Sequence, residues 1–489
     1  MVGFFYYDLV FLIIFTLGVI IFLYKRRSNL KREGVMYLYR TQVGVKFINY
    51  IGSKYKKTLK FLGYLAVISG YILMVSMLYL LGQIAYIYIM NPEIVRAIKI
   101  PPLIPLIPYL PSIFKIDFLP PFYFTYWIIA IAVIAVFHEF AHGIYAKLYK
   151  IKVKTTGFGF LGPFLAAFVE PDEKQMLKKP KLQQITILSA GTFTNLILAF
   201  IFFLLLSVFF VLTYVPAGAM FNTYTPGIVS IKEIQKIDGI SINNPSNVEL
   251  LEIINKNNLT SDLVLGSNGN QINLTKIIVN NRSYFITIDN LKEQLEITGD
   301  QIALYEDLPA INARLTGIII EIDENKIKTH EDLSEVLKNY NVGDKINIKT
   351  KDNDEILEYN LTLGEDPNEK GRAVLGIGVL NQNTRLIGRI SEFFNFFKKT
   401  GTFYEPRFNT NLIIFIYNLI WWLALVNISV ALCNMLPIGL FDGGRMFMLT
   451  IAGITGSEKA GQIVFKIMTY LILGIFLLLM IGWFLAVFL

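Results

Sequence analysis

The sequence predicts a polytopic α-helical membrane protein of about six transmembrane helices, with an α+β insert on the extracytoplasmic side. Three observations predict it. The chain of 489 residues is 54% hydrophobic and only 17% charged, with a mean hydropathy of +0.51, too apolar for an ordinary soluble protein. Its apolar residues gather in blocks long enough to cross a hydrocarbon layer of roughly 30 Å, which takes about 20 helical residues. Between about Pro216 and Thr384 the composition turns abruptly to Asn, Lys, Ile, Asp and Glu, with no spanning segment.

Six blocks qualify: Phe5–Tyr24, Phe61–Ile89, Tyr126–Leu148, Ile185–Val215, Asn411–Leu436 and Ile463–Phe488. The first has no basic region before it and no small-residue cleavage site after it. "KRRSNLKR" follows directly, as after a stop-transfer helix, so the block is read as retained rather than as a signal peptide. The net charge of +8 is distributed as a topology signal, and no nucleic-acid partner is expected. The loop Lys25–Lys60 carries eleven Lys/Arg and Lys147–Lys181 carries eight, whereas Asn91–Pro121 has only Arg96, Lys99 and Lys115. By the positive-inside rule the first two loops are cytoplasmic and the third is not. The third block then runs inward, and the polar insert and both termini lie outside. The localisation that follows is a multi-pass protein of the cell membrane. One cysteine, Cys433, excludes an intramolecular disulfide framework and a cysteine-based zinc site; within an apolar block it is read as a small buried hydrophobe.

Within the insert, "KINIKT" (Lys345–Thr350) and "EYNLTL" (Glu358–Leu363) alternate as half-buried strands, and "THEDLSEVLKNY" reads as a short capped helix. The insert also repeats itself. "IQKIDGISINNPSNVELLEII" (Ile234–Ile254) lies over "IIEIDENKIKTHEDLSEVL" (Ile319–Leu337): Ile-x-x-Ile-Asp, a turn, another Ile, then a polar cap opening an amphipathic helix. That order resembles PDZ domains of the bacterial and archaeal type. The second copy continues the match through "NVGDKINIKTKDN" to "LGIGVL", while the first departs in its C-terminal half. The resemblance implies peptide binding by strand addition at a sheet edge; the alternative is a pair of domains that only block access. Sequons at Asn258, Asn273, Asn281 and Asn360 are candidate glycan acceptors, and arise easily by chance in an Asn-rich chain.

The chemistry lies in the third block, whose end reads "FHEFAH", Phe137 to His142. On a helix, residues four apart share a face, so His138 and His142 can bind one zinc ion, with Glu139 placed to act on a water. A carboxylate inside a membrane helix is costly unless paired or functional. The third histidine, His330, is read as a solvated residue near a helix start. Two histidines are too few for a catalytic zinc, which usually has three protein ligands. Asp442 in "NMLPIGLFDGGRMFML" (Asn434–Leu449) is the candidate third ligand. Pro437 and Gly439 break the helix before it, and Gly443 and Gly444 allow close backbone approach.

HEFAH together with N-x-x-P-x-x-x-x-D-G-G resembles the site-2 protease family of intramembrane zinc metalloproteases, peptidase family M50. The family usually has Leu before the aspartate, where this chain has Phe441, and often proline where Gly439 stands. "LSAGTFTNLILAF" (Leu188–Phe200) resembles the family's A-G-x-x-x-N helix, with Asn195 at the motif position. "GFGFLGPFLAAFVEPDE" (Gly157–Glu173) resembles its re-entrant hairpin, whose edge is thought to hold the substrate extended. The resemblance implies one Zn2+, Glu139 as catalytic base, His138, His142 and Asp442 as ligands, and a transmembrane protein substrate in the lipid bilayer. Asn195 and Asn434 become candidates for holding the substrate backbone or an oxyanion, each equally readable as an interhelical hydrogen bond. The organisation expected is 1–121, two transmembrane helices and loops; 122–216, the first part of the catalytic core; 217–308 and 309–384, PDZ-like domains; and 385–489, the second part of the core and the last helix. The prolines of Ile100–Pro111 suggest only a stiff segment at the outer surface. Three rivals stand beside this reading: a prenyl-protein endopeptidase type, whose third ligand is a glutamate on a later helix, a non-catalytic PDZ scaffold, and a metal transporter.

Overall fold

The computed structural model describes the chain apart from residues 1, 35, 91–94, 96–100, 103, 115, 117–118, 162–163, 258–261, 266–270, 298, 353–354, 380–395 and 489. Parts of several expectations fall outside it: Arg96, Lys99 and Lys115 of the third loop, Ile100 and Leu103 of the proline segment, Gly162 and Pro163 of the hairpin, Asn258, Asn353 and Leu380 of the second repeat, and the boundary at 384. The described chain divides into two compact units, Met1–Phe210 with Asn411–Leu489, and Val211–Thr410.

The first unit holds the spanning helices: α1 (Val2–Lys25), α3 (Lys56–Met90), α4 (Phe124–Leu148), α5 (Lys181–Thr213), α6 (Thr410–Asn434) and α8 (Glu458–Phe488). All six are long and apolar enough to cross a membrane. Two shorter helices join them, α2 (Val45–Lys54) and α7 (Asp442–Thr455). Cys433, expected to be buried, is exposed on α6. An apolar block alone does not distinguish a helix face turned to lipid from one turned to the bundle, because both are apolar.

The basic loop after α1 is more than a topology signal. It folds into β1 (Leu30–Glu33) and β2 (Met36–Thr41), which join β3 (Val153–Leu161) and β4 (Phe164–Pro171) in a four-stranded sheet of order β1-β2-β3-β4. The register aligns Tyr37 with Phe160 and Thr41 with Thr156, then Phe158 with Ala167. Arg40 on β2 and Thr155 on β3 both donate to the Glu170 carboxylate on β4, at 3.1 and 2.8 Å. The Thr155 hydroxyl first, and then Arg40, hold that carboxyl below its ordinary range. This tie persists at neutral pH.

One buried charge anchors α1. Asp8 is 2% exposed, and it completes a helix start that has no cap of its own: Tyr123 offers no side-chain bond to the first turn of α4. Instead the Asp8 carboxylate accepts from the Phe124 N–H at 2.7 Å, the Thr125 N–H at 2.9 Å, the Thr125 hydroxyl and the Tyr109 hydroxyl. A helix N-terminus leaves N–H groups unpaired and favours negative charge, so an aspartate from another helix does the work of an N-cap. Tyr109 belongs to the proline-rich segment, so that segment is bound to α1 and α4 together.

The second unit, α+β, bears out the internal repeat in its local structure. Strands Ile234–Ile237 and Ile318–Ile322 each turn into a two-residue strand and then a capped helix, Asn247–Lys256 or His330–Leu337. The paired isoleucines Ile234 and Ile237, and Ile319 and Ile322, are all buried. Asp238 and Asp323 occupy the same left-handed turn position, at φ 47° and 50°. Ser246 and Thr329 cap the helices. Each copy has its own core and sheet. Strand Tyr214–Ala219, which straddles the expected boundary at 216, pairs with the second copy's sheet, as does Thr402–Pro406. His330 is half-buried at its helix start rather than solvated.

Replacing Asp8 by Ala should cost about 3 kcal/mol, because several donors lose a buried charged acceptor. Thermal unfolding of the detergent-solubilised protein reads this as a lowered midpoint; an unchanged midpoint would remove Asp8 as the anchor of α4.

Candidate metal centre

The C-terminal half of α4 carries His138, Glu139 and His142, with His142 about 9 Å along the axis from the helix end at 1.5 Å per residue. Asp442 reaches them from the first position of α7. Two glycines make that approach. A Cβ on Gly443 would lie 2.3 Å from the Met435 carbonyl oxygen, and one on Gly444 would lie 2.1 Å from that of Ile438. The start of α7 is therefore folded against the irregular turn that follows α6. Gly439 has room: an added Cβ would come no nearer than 3.6 Å to Phe465, so the departure from proline there leaves the site undisturbed.

The three ligand atoms form a tight triangle. His138 Nε2 and His142 Nε2 are 3.0 Å apart, and Asp442 Oδ2 is 3.4 and 3.3 Å from them. Ligands at about 2.0–2.1 Å from a tetrahedral zinc stand about 3.3 Å from one another. Among the described residues this is the one cluster of three metal-ligating side chains.

The far nitrogens explain why the near ones face inward. His142 Nδ1–H donates to the Ile187 carbonyl on α5 at 2.7 Å, which leaves Nε2 with its lone pair. His138 Nδ1 lies 3.0 Å from the Asn195 side-chain amide, also on α5. With the amide nitrogen on the ring, the Asn195 oxygen is enclosed without a partner. Amide orientation follows from the network, and turning the oxygen to the ring lets His138 Nδ1–H donate to it. Both rings then aim lone pairs at one point, and two lone pairs 3.0 Å apart repel unless a cation lies between them. The donor set fits zinc.

Asn195 is fully buried behind His138 and meets it between α5 and α4. Asn434 lies elsewhere: half-buried at the end of α6, it lines the cavity in front of the triad. That cavity, of about 860 Å³, is bounded on one side by residues 166–171 of β4 and holds His138, Glu139, His142 and Asp442 on another. Glu139 accepts from the Val169 N–H at 3.0 Å. β4 is the terminal strand of its sheet. Since Val169 directs its N–H away from β3, the two-residue repeat directs those of Ala167 and Leu165 to the same open edge.

The sequence profile of peptidase family M50 matches residues 126–475. The chain belongs to the M50 family. M50 proteins are membrane zinc metalloproteases of the site-2 protease type, and this M50 member is a multi-pass membrane protein by its six spanning helices. Among solved structures it is similar to the PDZ domain of an SdrC-like protein from Listeria monocytogenes, at 28% identity over 15% of this chain and 78% of that one, with a TM-score of 0.14. No curated protein matches the chain.

Gly191 on α5 escaped notice as a site residue although it stands in the quoted A-G-x-x-x-N motif. A Cβ there would lie 2.5 Å from His142 Nε2 and 2.6 Å from His138 Nε2. The only signal for it was the glycine four residues before Asn195. Gly→Ala inside a helix ordinarily stabilises by about 1 kcal/mol. Against that gain stands the clash of the Cβ with both rings, so Gly191→Ala should displace His138 and His142 and make zinc content, measured by mass spectrometry of the purified protein, fall sharply; unchanged zinc content would dismiss Gly191 as the clearance for the ligands. Asn195→Ala should weaken zinc retention by about 10–100-fold, and unchanged retention would dismiss it as a support for His138.

Proposed function

We propose that the chain is an intramembrane zinc endopeptidase, hydrolysing peptide bonds in or near transmembrane segments of other membrane proteins. The observation that carries this is the convergence of His138, His142 and Asp442, with Glu139 beside them, at the open edge of β4 within a bundle of spanning helices. His138, His142 and Asp442 would hold one zinc ion, which when bound would supply a Lewis acid that lowers the pKa of water toward about 7. Glu139 takes the proton from the attacking water and returns it to the leaving nitrogen. The Val169 N–H fixes one oxygen of Glu139 and leaves the other for this work. Asn434, on the cavity wall, is placed to hold the substrate backbone.

A transmembrane helix has all its amides paired internally, so it must unwind before hydrolysis. An extended segment added to β4 recovers such hydrogen bonds from Leu165 and Ala167, the Val169 N–H being taken by Glu139. The basic loops put the triad toward the cytoplasmic side and the second unit outside. There a cavity of about 640 Å³ between helix His330–Leu337 and residues 373–377 supports peptide binding by the PDZ-like repeat. The Asp442 ligand speaks against the prenyl-protein endopeptidase type, and the intact Glu139 against a silent scaffold.

Glu139→Gln should keep zinc but abolish cleavage of a co-expressed single-span protein, and normal cleavage would sink the mechanism. Asp442→Asn should lower zinc content as well as cleavage. Edge strands accept proline where the N–H faces outward. Ala167→Pro should accordingly raise KM for the single-span substrate several-fold with zinc content unchanged; an unaltered KM would remove β4 as the docking edge.

A further inference from the structure

Outside the metal centre, the first unit holds a second cavity of about 850 Å³, where α3 begins and α4 ends. Six lysines line it: Lys56 and Lys60 on α3, Lys147 on α4, and Lys150, Lys152 and Lys154 on the stretch from the end of α4 into β3. No carboxylate lines it. Among the described residues only Lys154 has an acidic partner, Asp172 at 3.8 Å. Its floor is apolar, with Leu148, Ile151 and Val153 all buried. Both α3 and α4 are spanning helices, so the cavity lies at the level where their spans end, the surface of the bilayer.

Local forces leave this charge poorly compensated. The dipole at the C-terminus of α4 favours Lys147 and Lys150, but the N-terminal dipole of α3 disfavours cations at Lys56 and Lys60. Those two stand four apart on one helix face, an arrangement of like charges that repels. The first turn of α3 contains no acidic residue. Lys150 adds a conformational cost: it sits at φ 59°, the left-handed place after a helix that glycine or asparagine fills more easily. The chain end is locked there by bonds from Lys150 N–H to the Lys147 carbonyl and from Ile151 N–H to the Ala146 carbonyl, both 2.9 Å. Lys147 is held as well, its stem lying against Gly52 of α2, where an added Cβ would come within 2.8 Å. A multivalent anion in the cavity relieves the electrostatic terms, the α3 dipole on Lys56 and Lys60 and the repulsion between them.

We propose that this cavity binds the phosphate of an anionic phospholipid headgroup, with the acyl chains passing over the apolar floor into the bilayer. The shared chemistry is a phosphate anion. The bilayer-level position and the apolar floor favour lipid over a soluble phosphate. The site is independent of peptide hydrolysis and stands whether or not the chain is a protease.

The test uses the full chain in detergent, titrated with phosphatidylglycerol or phosphatidylcholine and read by native mass spectrometry. Phosphatidylglycerol should bind about tenfold tighter or more. The triple variant Lys147→Gln, Lys150→Asn, Lys152→Gln should lose that preference. Its arginine counterpart, Lys147→Arg, Lys150→Arg, Lys152→Arg, should keep it. A control with the same charge loss at the end of α1, Lys25→Gln, Arg26→Gln, Arg27→Gln, should bind as the wild type does. Equal binding of the two lipids overturns the proposal. So does an equal loss in both neutralised triples, which would mean that the lysines act only as general surface charge. Inorganic phosphate should displace phosphatidylglycerol only in large excess; displacement at matching concentration would assign the cavity to a soluble phosphate and overturn the lipid source.

Discussion

Two imidazole lone pairs and a carboxylate oxygen converge within 3.0–3.4 Å in the membrane-spanning unit, and much of that unit is arranged to bring them there. Such a cluster is unfavourable in an apolar bundle without a cation. It is enforced from outside the triangle. α5 supplies the Ile187 carbonyl and the Asn195 amide that fix the two tautomers, and also the bare backbone at Gly191 that leaves the ligand atoms room. The glycines after Asp442 let α7 start against a turn. Thus α5 and α7 each contribute both a polar group and a close approach.

The sheet gives the same centre its direction. β4 ends the sheet, and its Val169 N–H is spent on Glu139. Glu139 is therefore held by the strand whose remaining open edge borders the cavity. Further along, Asp8 ties the start of α4 to α1, and the ring of Phe22 near the end of α1 packs on Tyr39 of β2 and Phe160 of β3, with centroids 5.3 and 5.8 Å apart. The first helix thus touches α4 at one end and the sheet at the other.

Much of this was legible because it is local. Helical spacing put His138, Glu139 and His142 on one face, apolar run length marked six spans, and Ile-x-x-Ile-Asp marked the repeat. Asp442 was legible as the carboxylate in a broken apolar helix. Less legible was anything whose partner lies far along the chain. Asp8 is a single acid at the start of an apolar block, and its donors stand more than 100 residues away. β1 and β2 hide in a loop whose lysines and arginines drew attention to topology instead. Asn195 offered two readings with the same residue type, and nothing local placed it behind the His138 ring.

By itself, then, the sequence determined the six spans, the metal-ligand types His138, His142 and Asp442 that the fold brings together, and the separate α+β unit. Periodicity and composition are properties of neighbours, and they need no third dimension. The tertiary structure alone decided which nitrogen of each histidine faces the metal position, which strand edge is open, and that Asp8 serves as a cap for another helix. Those outcomes depend on distances between segments 40 to 300 residues apart in the chain, and no local pattern records such distances.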